Sequence, residues 1–256
     1  MPRNAPAWRP SSMHFEFVKR RSILAHVSGA AVAFALVGSA WAQTESEPMR
    51  IGIIGAGNIG GTLGGLWARA GHPVMLSSRH PEDLKGLVDG LGPKARAGTP
   101  AEAIAFGDVV LVAVPYKAYP QIAQDHGAAL KGKIVIDAGN ATQARDGEVY
   151  GEVQASGIAA VSAKYLIGAH IVRAFNAANY KVFAKNAHRE GGRMAIPLAG
   201  DDPQSVAEVS KLVTDAGFDP VVVGPLRTAD SFAMGSPGFG LELTAPDLRT
   251  RLGVTP

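Results

Sequence analysis

Residues 50–65 read RIGIIGAGNIGGTLGG, and three glycines in that stretch, Gly55, Gly57 and Gly60, leave few ways for the chain to fold. An apolar run, Ile51 to Ile54, stands directly before the first glycine, and a helix-forming stretch over 60–70 follows the third. A strand that turns on one glycine, passes a second and opens a helix at the next is the first unit of a doubly wound sheet. Gly55 permits the tight turn, Gly57 lets a diphosphate approach the backbone, and Gly60 lets the helix pack on its strand. Asn58 and Ile59 offer amides that the first helical turn leaves without partners, at the positive end of the helix dipole.

The same alternation continues. Apolar runs over 73–76, 94–97, 108–114, 133–137, 170–175, 194–198 and 220–223 predict strands. Helices are expected over 81–91, 100–106 with Thr99 as cap, 119–130, 177–185, and 203–216 with Asp201 or Asp202 as cap. The runs around 108–114 and 133–137 are apolar without alternation, as in strands covered on both faces. Residues 141–163 show no clear pattern. The tail from Leu226 is interrupted by glycine and proline and ends in a short helix within TAPDLRTRL. The expected fold class is α/β: a Rossmann-type, doubly wound, mostly parallel sheet, extended by a small C-terminal α/β part. The expected division is a Rossmann domain over 50–165 and an extension over 166–256 that completes the sheet and the acceptor site.

The end of the second strand selects the nucleotide. A reader of NAD places Asp or Glu there to hold the ribose 2′-hydroxyl. This chain has Ser77, Ser78 and Arg79, with Glu82 and Asp83 arriving only on the next helix. A guanidinium fork beside serine hydroxyls suits a phosphate, so the expected dinucleotide is NADP(H), with Lys85 as a weaker second phosphate partner. The plainer alternative makes Arg79 a solvated surface charge.

The start of the chain points elsewhere. Lys19, Arg20 and Arg21 precede an apolar run over 23–41, and Ala40-Trp41-Ala42 has the small-x-small pattern of a cleavage site. Residues 1–42 read as a signal peptide of twin-arginine type, 43–49 as a linker, and the mature protein as periplasmic, with no membrane span left after cleavage. Five of the 25 Lys/Arg and one of the 22 Asp/Glu lie in that leader. The remainder holds 20 basic against 21 acidic residues, so the formal charge of +3 implies no nucleic-acid partner. With no cysteine, disulfides, thiol nucleophiles and thiolate metal sites are excluded, and no paired-histidine metal spacing is present.

Four stretches, IGIIGAGNIGGTLGGLWARAGHPVMLSSR, VVLVAVPYKAY, KGKIVIDAGNA and IVRAFNAANYKVF, together resemble the NADPH-dependent F420 reductases. That family is also described as NADP oxidoreductase, coenzyme F420-dependent, and is related to the dinucleotide domain of pyrroline-5-carboxylate reductases. The resemblance covers most of 50–225. It implies a Rossmann sheet with a small C-terminal part and hydride passing between NADPH and a deazaflavin. It also implies that Ser78 and Arg79 hold the 2′-phosphate, with the loop after Val114 beside the nicotinamide.

Open parallel sheets bind ligands at the carboxyl ends of their strands. Val114, Pro115 and Tyr116, then Ala138, Gly139 and Asn140, and finally Asn176 stand at such ends. Pro115 would shape a wall, while Asn140 and Asn176 would bond a carboxamide or carbonyl or else serve their own loops. No acid–base constellation is evident; His170 and Asn176 are weak catalytic candidates, and Lys164 and Tyr165 weaker proton donors. Ring-to-ring hydride transfer needs no such donor, whereas reduction of a carbonyl does. The expected activity is therefore NADPH-dependent reduction of a small redox acceptor such as F420 or a flavin. The alternatives are a non-catalytic NADP-binding module and a reductase of a small imine or carbonyl. Phe232, Met234 and Phe239 either wall the acceptor or pack in the core, and a homodimer is left open.

Overall fold

The computed structural model describes residues 48–255, so the expected leader and most of the linker lie outside the described residues. The glycine-flanked run Ile51–Ile54 forms β1, buried along its whole length. It pairs in parallel with β2 (Val74–Ser77) on one side and β4 (Val109–Val112) on the other. β3 (Ala95–Gly98) extends one edge beyond β2, while β5 (Ile134–Asp137) and β6 (His170–Arg173) extend the other. β7 (Ala195–Gly200) runs antiparallel to β6, and β8 (Asp219–Gly224) runs parallel to β7. The strand order is β3-β2-β1-β4-β5-β6-β7-β8, the doubly wound arrangement with two reversed strands at one edge.

Successive residues of a strand face opposite sides, and this alternation sorts the core into two layers. Ile51, Ile53, Val109 and Leu111 point to one face, where Trp67, Phe175, Phe183 and Phe218 pack edge to face. Ile54, Val110, Val112 and Val135 point to the other, against Tyr116, Tyr119 and Phe232. The helices α1 (Asn58–Arg69), α2 (Lys85–Leu91), α7 (Tyr180–Asn186) and α8 (Pro203–Asp215) cover the first layer. The second is covered by α3 (Pro100–Phe106), α4 (Tyr119–Leu130), α5 (Gln143–Ser156) and α6 (Ile158–Tyr165). α9 (Ala245–Leu252) packs against β7 and β8.

Most boundaries follow the sequence within a few residues. Thr99 caps α3 in a full capping box with Glu102, and Asp202 rather than Asp201 caps α8. Asp201 instead accepts from the Leu226 amide at 2.9 Å. α7 begins at Tyr180, not Ala177, because the Asn179 side chain accepts from the amides of Lys181 and Val182 and starts the helix there. The unpatterned stretch 141–163 is two helices. α5 kinks at Gly147 (φ 52°, ψ −120°) and buries only Asp146 and Val149, so no apolar periodicity marks it.

Candidate active site

At the carboxyl end of β1 the chain turns on Gly55 at φ 99°, in the left-handed region that glycine enters without strain. A Cβ on Gly60 would collide with the Gly55 carbonyl, so α1 touches the turn only because that carbon is missing. Gly57 is different. A Cβ there would meet no protein atom within 4 Å, so its bareness serves space outside the protein. Gly57 is the N-cap of α1 without a side-chain cap, and the first turn holds no acidic residue. The amides of Asn58 and Ile59 and the helix dipole are thus free for an anion. Gly55 and Gly60 make the turn and the close packing that their spacing predicts, and the open space at Gly57 fits a dinucleotide diphosphate.

Beyond this turn lies a cavity of about 640 Å³, lined by Gly55 and Gly57 and by Ser77, Ser78 and Arg79 from the end of β2. These three residues do not act alike. Ser77 is buried, and its hydroxyl donates to the Ile53 carbonyl at 2.7 Å, so it ties β2 to β1 and is not free to hold a phosphate. The Ser78 hydroxyl accepts from the His80 amide at 2.9 Å and keeps its own proton for a ligand. Arg79 is exposed and forms no ion pair among the described residues. Lys85 does not join them: it pairs with Asp89 at 2.6 Å, one helical turn on, and does not line the cavity. The second cation there is Lys117, from the loop after β4.

A second cavity, about 460 Å³, opens beside Asn58 and Ile59. It shares the wall Val114–Pro115 with the first and continues along Ala138, Gly139 and Asn140. Met234 and Phe239 close its far side, while Phe232 is fully buried in the core. Asn140 gathers this wall: its Nδ2 donates to the Asn176 carbonyl at 2.7 Å, and its Oδ1 accepts from the Met234 amide at 3.3 Å.

Tyr116 sits in the expected loop, but its side chain turns away from both cavities and is fully buried. Its hydroxyl donates to Asp137 at 2.8 Å. The same carboxylate accepts from the Tyr119 hydroxyl at 2.6 Å, Arg173 Nη1 at 2.6 Å and the Ser162 hydroxyl at 2.5 Å. Asp137 and Arg173 are register partners on β5 and β6, and both side chains are wholly buried. Burial, together with the adjacent Asp137 charge, pushes both phenols well above the ordinary tyrosine range. Burial opposes the Arg173 charge, but Asp137 outweighs it and keeps the guanidinium protonated. The pair also grips the cavity wall: the Gly139 amide donates to Asp137 at 2.9 Å, and Arg173 Nη2 donates to the Gly139 carbonyl at 2.7 Å. A Cβ on Gly139 would lie 2.6 Å from the Tyr116 ring, which fixes the wall against the cluster.

The weak catalytic candidates fall away from the cavities. His170 begins β6, whose carboxyl end faces the site, so it stands at the opposite end of that strand, beside Asp201 in a separate cavity of about 190 Å³. Asn176 is buried, with Nδ2 donating to the Phe232 carbonyl at 3.2 Å, and supports the wall from behind. Lys164 and Tyr165 both bond Glu152, on α5. Sequence reading missed Lys117, Arg145, Tyr180 and the Asp137–Arg173 pair. Only the pair had a legible signal, one charge of each sign inside two adjacent apolar strands.

Residues 50–141 match the family model described as NADP oxidoreductase coenzyme F420-dependent. Metalloreductase STEAP3 of Rattus norvegicus is 26% identical over 188 residues, which cover 73% of this chain and 36% of that protein. The chain thus spans about a third of that relative's length. Among solved structures, the hypothetical protein SMa0349 from Sinorhizobium meliloti is 29% identical with a TM-score of 0.65, covering 78% of this chain and 97% of that one. A provisionally assigned F420-dependent NADP-reductase from Arthrobacter sp. FB24 is 21% identical with a TM-score of 0.58, covering 77% and 99%; at that identity it shows the fold alone.

Proposed function

We propose that this chain is an NADP-dependent oxidoreductase, a reading supported by the match of residues 50–141 to the model described as NADP oxidoreductase coenzyme F420-dependent, and that its hydride acceptor is a flavin-like ring, either F420 or a flavin. The observation that carries this reading is the shape of the paired cavities. A dinucleotide held at Arg79 and at the first turn of α1 would continue along the Val114–Pro115 wall, which both cavities share, into the second cavity. There it would meet a mainly apolar surface with no Asp, Glu, His or Lys among its described lining residues.

NADPH, when bound, would supply the hydride, and a flavin-like ring would accept it at its N5 or C5 position without a protein acid there. The protein's part is position and dryness. Ser78 and Arg79 would hold the 2′-phosphate, and the amides of Asn58 and Ile59 would hold the diphosphate. Val114, Pro115 and Ala138 exclude water from one side, and Met234 and Phe239 cover the other. The Asp137–Arg173 pair beneath Gly139 keeps that wall from drifting, which ring-to-ring transfer demands because its rate depends on close approach.

Tyr180 carries the cavity's lone phenol among the described residues and decides between acceptor classes. Purified protein is mixed with NADPH and, in turn, a flavin, F420 and a small cyclic imine, and loss of reduced-nicotinamide absorbance is followed. The reading expects turnover with a flavin or F420 that survives Tyr180→Phe. Turnover with the imine alone, lost in Tyr180→Phe, would replace it with an imine reductase, and no turnover with any would favour a binding module.

A further inference from the structure

The cavity beside Asn58 and Ile59 has one cationic side chain among its described lining residues, Arg145, near the start of α5. We propose that Arg145 is an anion-binding, specificity-determining residue, and that the acceptor carries a phosphate or carboxylate which it receives. The inference rests on the flavin-like acceptor reading above.

Arg145 is half-exposed, yet it is not a free surface arginine. Its Nε lies 3.2 and 3.0 Å from the two Asp146 oxygens, and Nη2 donates to Asp146 Oδ2 at 2.9 Å and to the Asn140 carbonyl at 2.5 Å. Asp146 is in turn immobile: its side chain is fully buried and accepts from the amides of Thr142 at 2.7 Å and Lys117 at 3.1 Å. The guanidinium is therefore held along one edge, while Nη1 makes no hydrogen bond among the described residues. A planar cation fixed along one edge, with donors unused on the other, recognises an oxyanion without first losing side-chain freedom.

Two anions could come to this cavity, the diphosphate of NADP and a charged group of the acceptor. The diphosphate already has its seat at the first turn of α1. Arg145 comes from the other side, after β5, and shares Asn140 with Met234: Arg145 donates to its backbone carbonyl, and the Met234 amide donates to its side chain. It thus belongs to the segment that covers the acceptor, and the geometry assigns it to the acceptor's anion.

The test uses flavin mononucleotide and riboflavin, which share a ring and differ by a phosphate. NADP⁺-loaded protein is titrated with each by flavin fluorescence, for the wild type, Arg145→Gln and Arg145→Lys. The wild type should bind flavin mononucleotide about tenfold or more tightly than riboflavin. Arg145→Gln should erase that preference, leaving riboflavin and NADP⁺ affinity within about twofold, and Arg145→Lys should restore part of it. Equal affinity of the wild type for both flavins overturns the proposal. Loss of NADP⁺ affinity in Arg145→Gln also overturns it, by assigning the guanidinium to the diphosphate, and equal weakening of both flavins does so by reducing Arg145 to a support for the loop. NADPH turnover is read separately. A phosphate preference lost in Arg145→Gln without turnover of either flavin sinks the hydride-acceptor reading while leaving the anion site standing.

Discussion

Replacing Arg79 by alanine tests the nucleotide assignment with little interference from folding. Arg79 is exposed and makes no ion pair among the described residues, so its removal leaves no buried partner orphaned. A hydrogen bond to a charged group contributes about 1.5–3 kcal/mol, and each 1.4 kcal/mol is a factor of ten in affinity. Exposure pulls the value toward the lower end, because solvent and salt screen the contact. The expected loss of NADP(H) affinity is therefore about tenfold, rising towards thirtyfold at low ionic strength. Ser78→Ala should do less, about threefold to tenfold, since one neutral donor is removed.

The decisive feature is a difference between nucleotides. Without a 2′-phosphate, NAD(H) has nothing for Arg79 to hold, so Arg79→Ala should leave its affinity within about twofold while NADP(H) weakens. Fluorescence titration with NADPH and NADH on wild type and variant measures both, and an unchanged thermal midpoint confirms that the fold is intact. Equal weakening of the two nucleotides would refute the reasoning, as would wild-type protein that binds NADH at least as well as NADPH. Retained NADPH selectivity in Arg79→Ala would move the phosphate site to Lys117, the other cation of that cavity.

Arg173→Met strands the buried Asp137 carboxylate and should lower stability by about 3–5 kcal/mol, measured by urea unfolding; a loss under about 1 kcal/mol would contradict a dry ion pair. Gly57→Ala should fold as the wild type, because its Cβ meets no protein atom, yet bind NADPH at least tenfold more weakly, whereas Gly60→Ala should lose stability first through collision with the Gly55 carbonyl; the two are separated by thermal midpoint and titration. Burial raises the Asp146 pKa, but Arg145 and the amides of Thr142 and Lys117 outweigh it and hold it below the ordinary carboxylate value. That contribution is present in full above about pH 5 and is lost as pH falls through the lowered folded value, so Asp146→Asn should flatten the acid limb of a stability–pH profile. For export, we propose that the protein crosses the membrane folded with its nucleotide, so protein recovered from the periplasm should still hold NADP(H); empty protein of low affinity there would count against it.

What the sequence disclosed follows from what leaves a one-dimensional trace. β1, β4 and β5 are buried on both faces and read as apolar runs, and the glycine turn shows its spacing because Gly55 and Gly60 each answer a local contact, while Gly57 leaves the helix N-terminus bare. Ser77 looked like Ser78 because composition does not record which hydroxyl the β1 backbone has already taken. His170 was placed near the cleft from its nearness to β6, but in a parallel strand the two ends are on opposite sides of the sheet. α5 escaped notice because a glycine breaks its period and its buried Asp146 looks like a surface charge. Arg145 escaped with it, since its fixed pose depends on Asp146 and on the Asn140 carbonyl.

The costly features of this fold converge on one wall. Phe175 holds φ at 60°, a conformation that strains a bulky side chain, at the exit of β6 directly before Asn176. Its ring packs edge to face with Trp67, Phe183 and Phe218, and this packing holds the strained backbone in place. Two residues earlier on the same strand, Arg173 pairs with Asp137 of β5, and the two carry the desolvation penalty of a fully buried ion pair, which apolar residues of similar size would avoid. Neither arrangement is the cheapest way to fill a core. The Asn176 carbonyl fixes Asn140, the ion pair fixes Gly139, and Asn140 in turn holds Met234 and Arg145. An enzyme that relied on a proton donor would be expected to concentrate such strain around an acid or base. Here it is concentrated on two backbone segments beside which Arg145 and Tyr180 are the ionisable side chains at the cavity surface among the described residues, as expected where the protein's task is to hold two rings at a fixed separation.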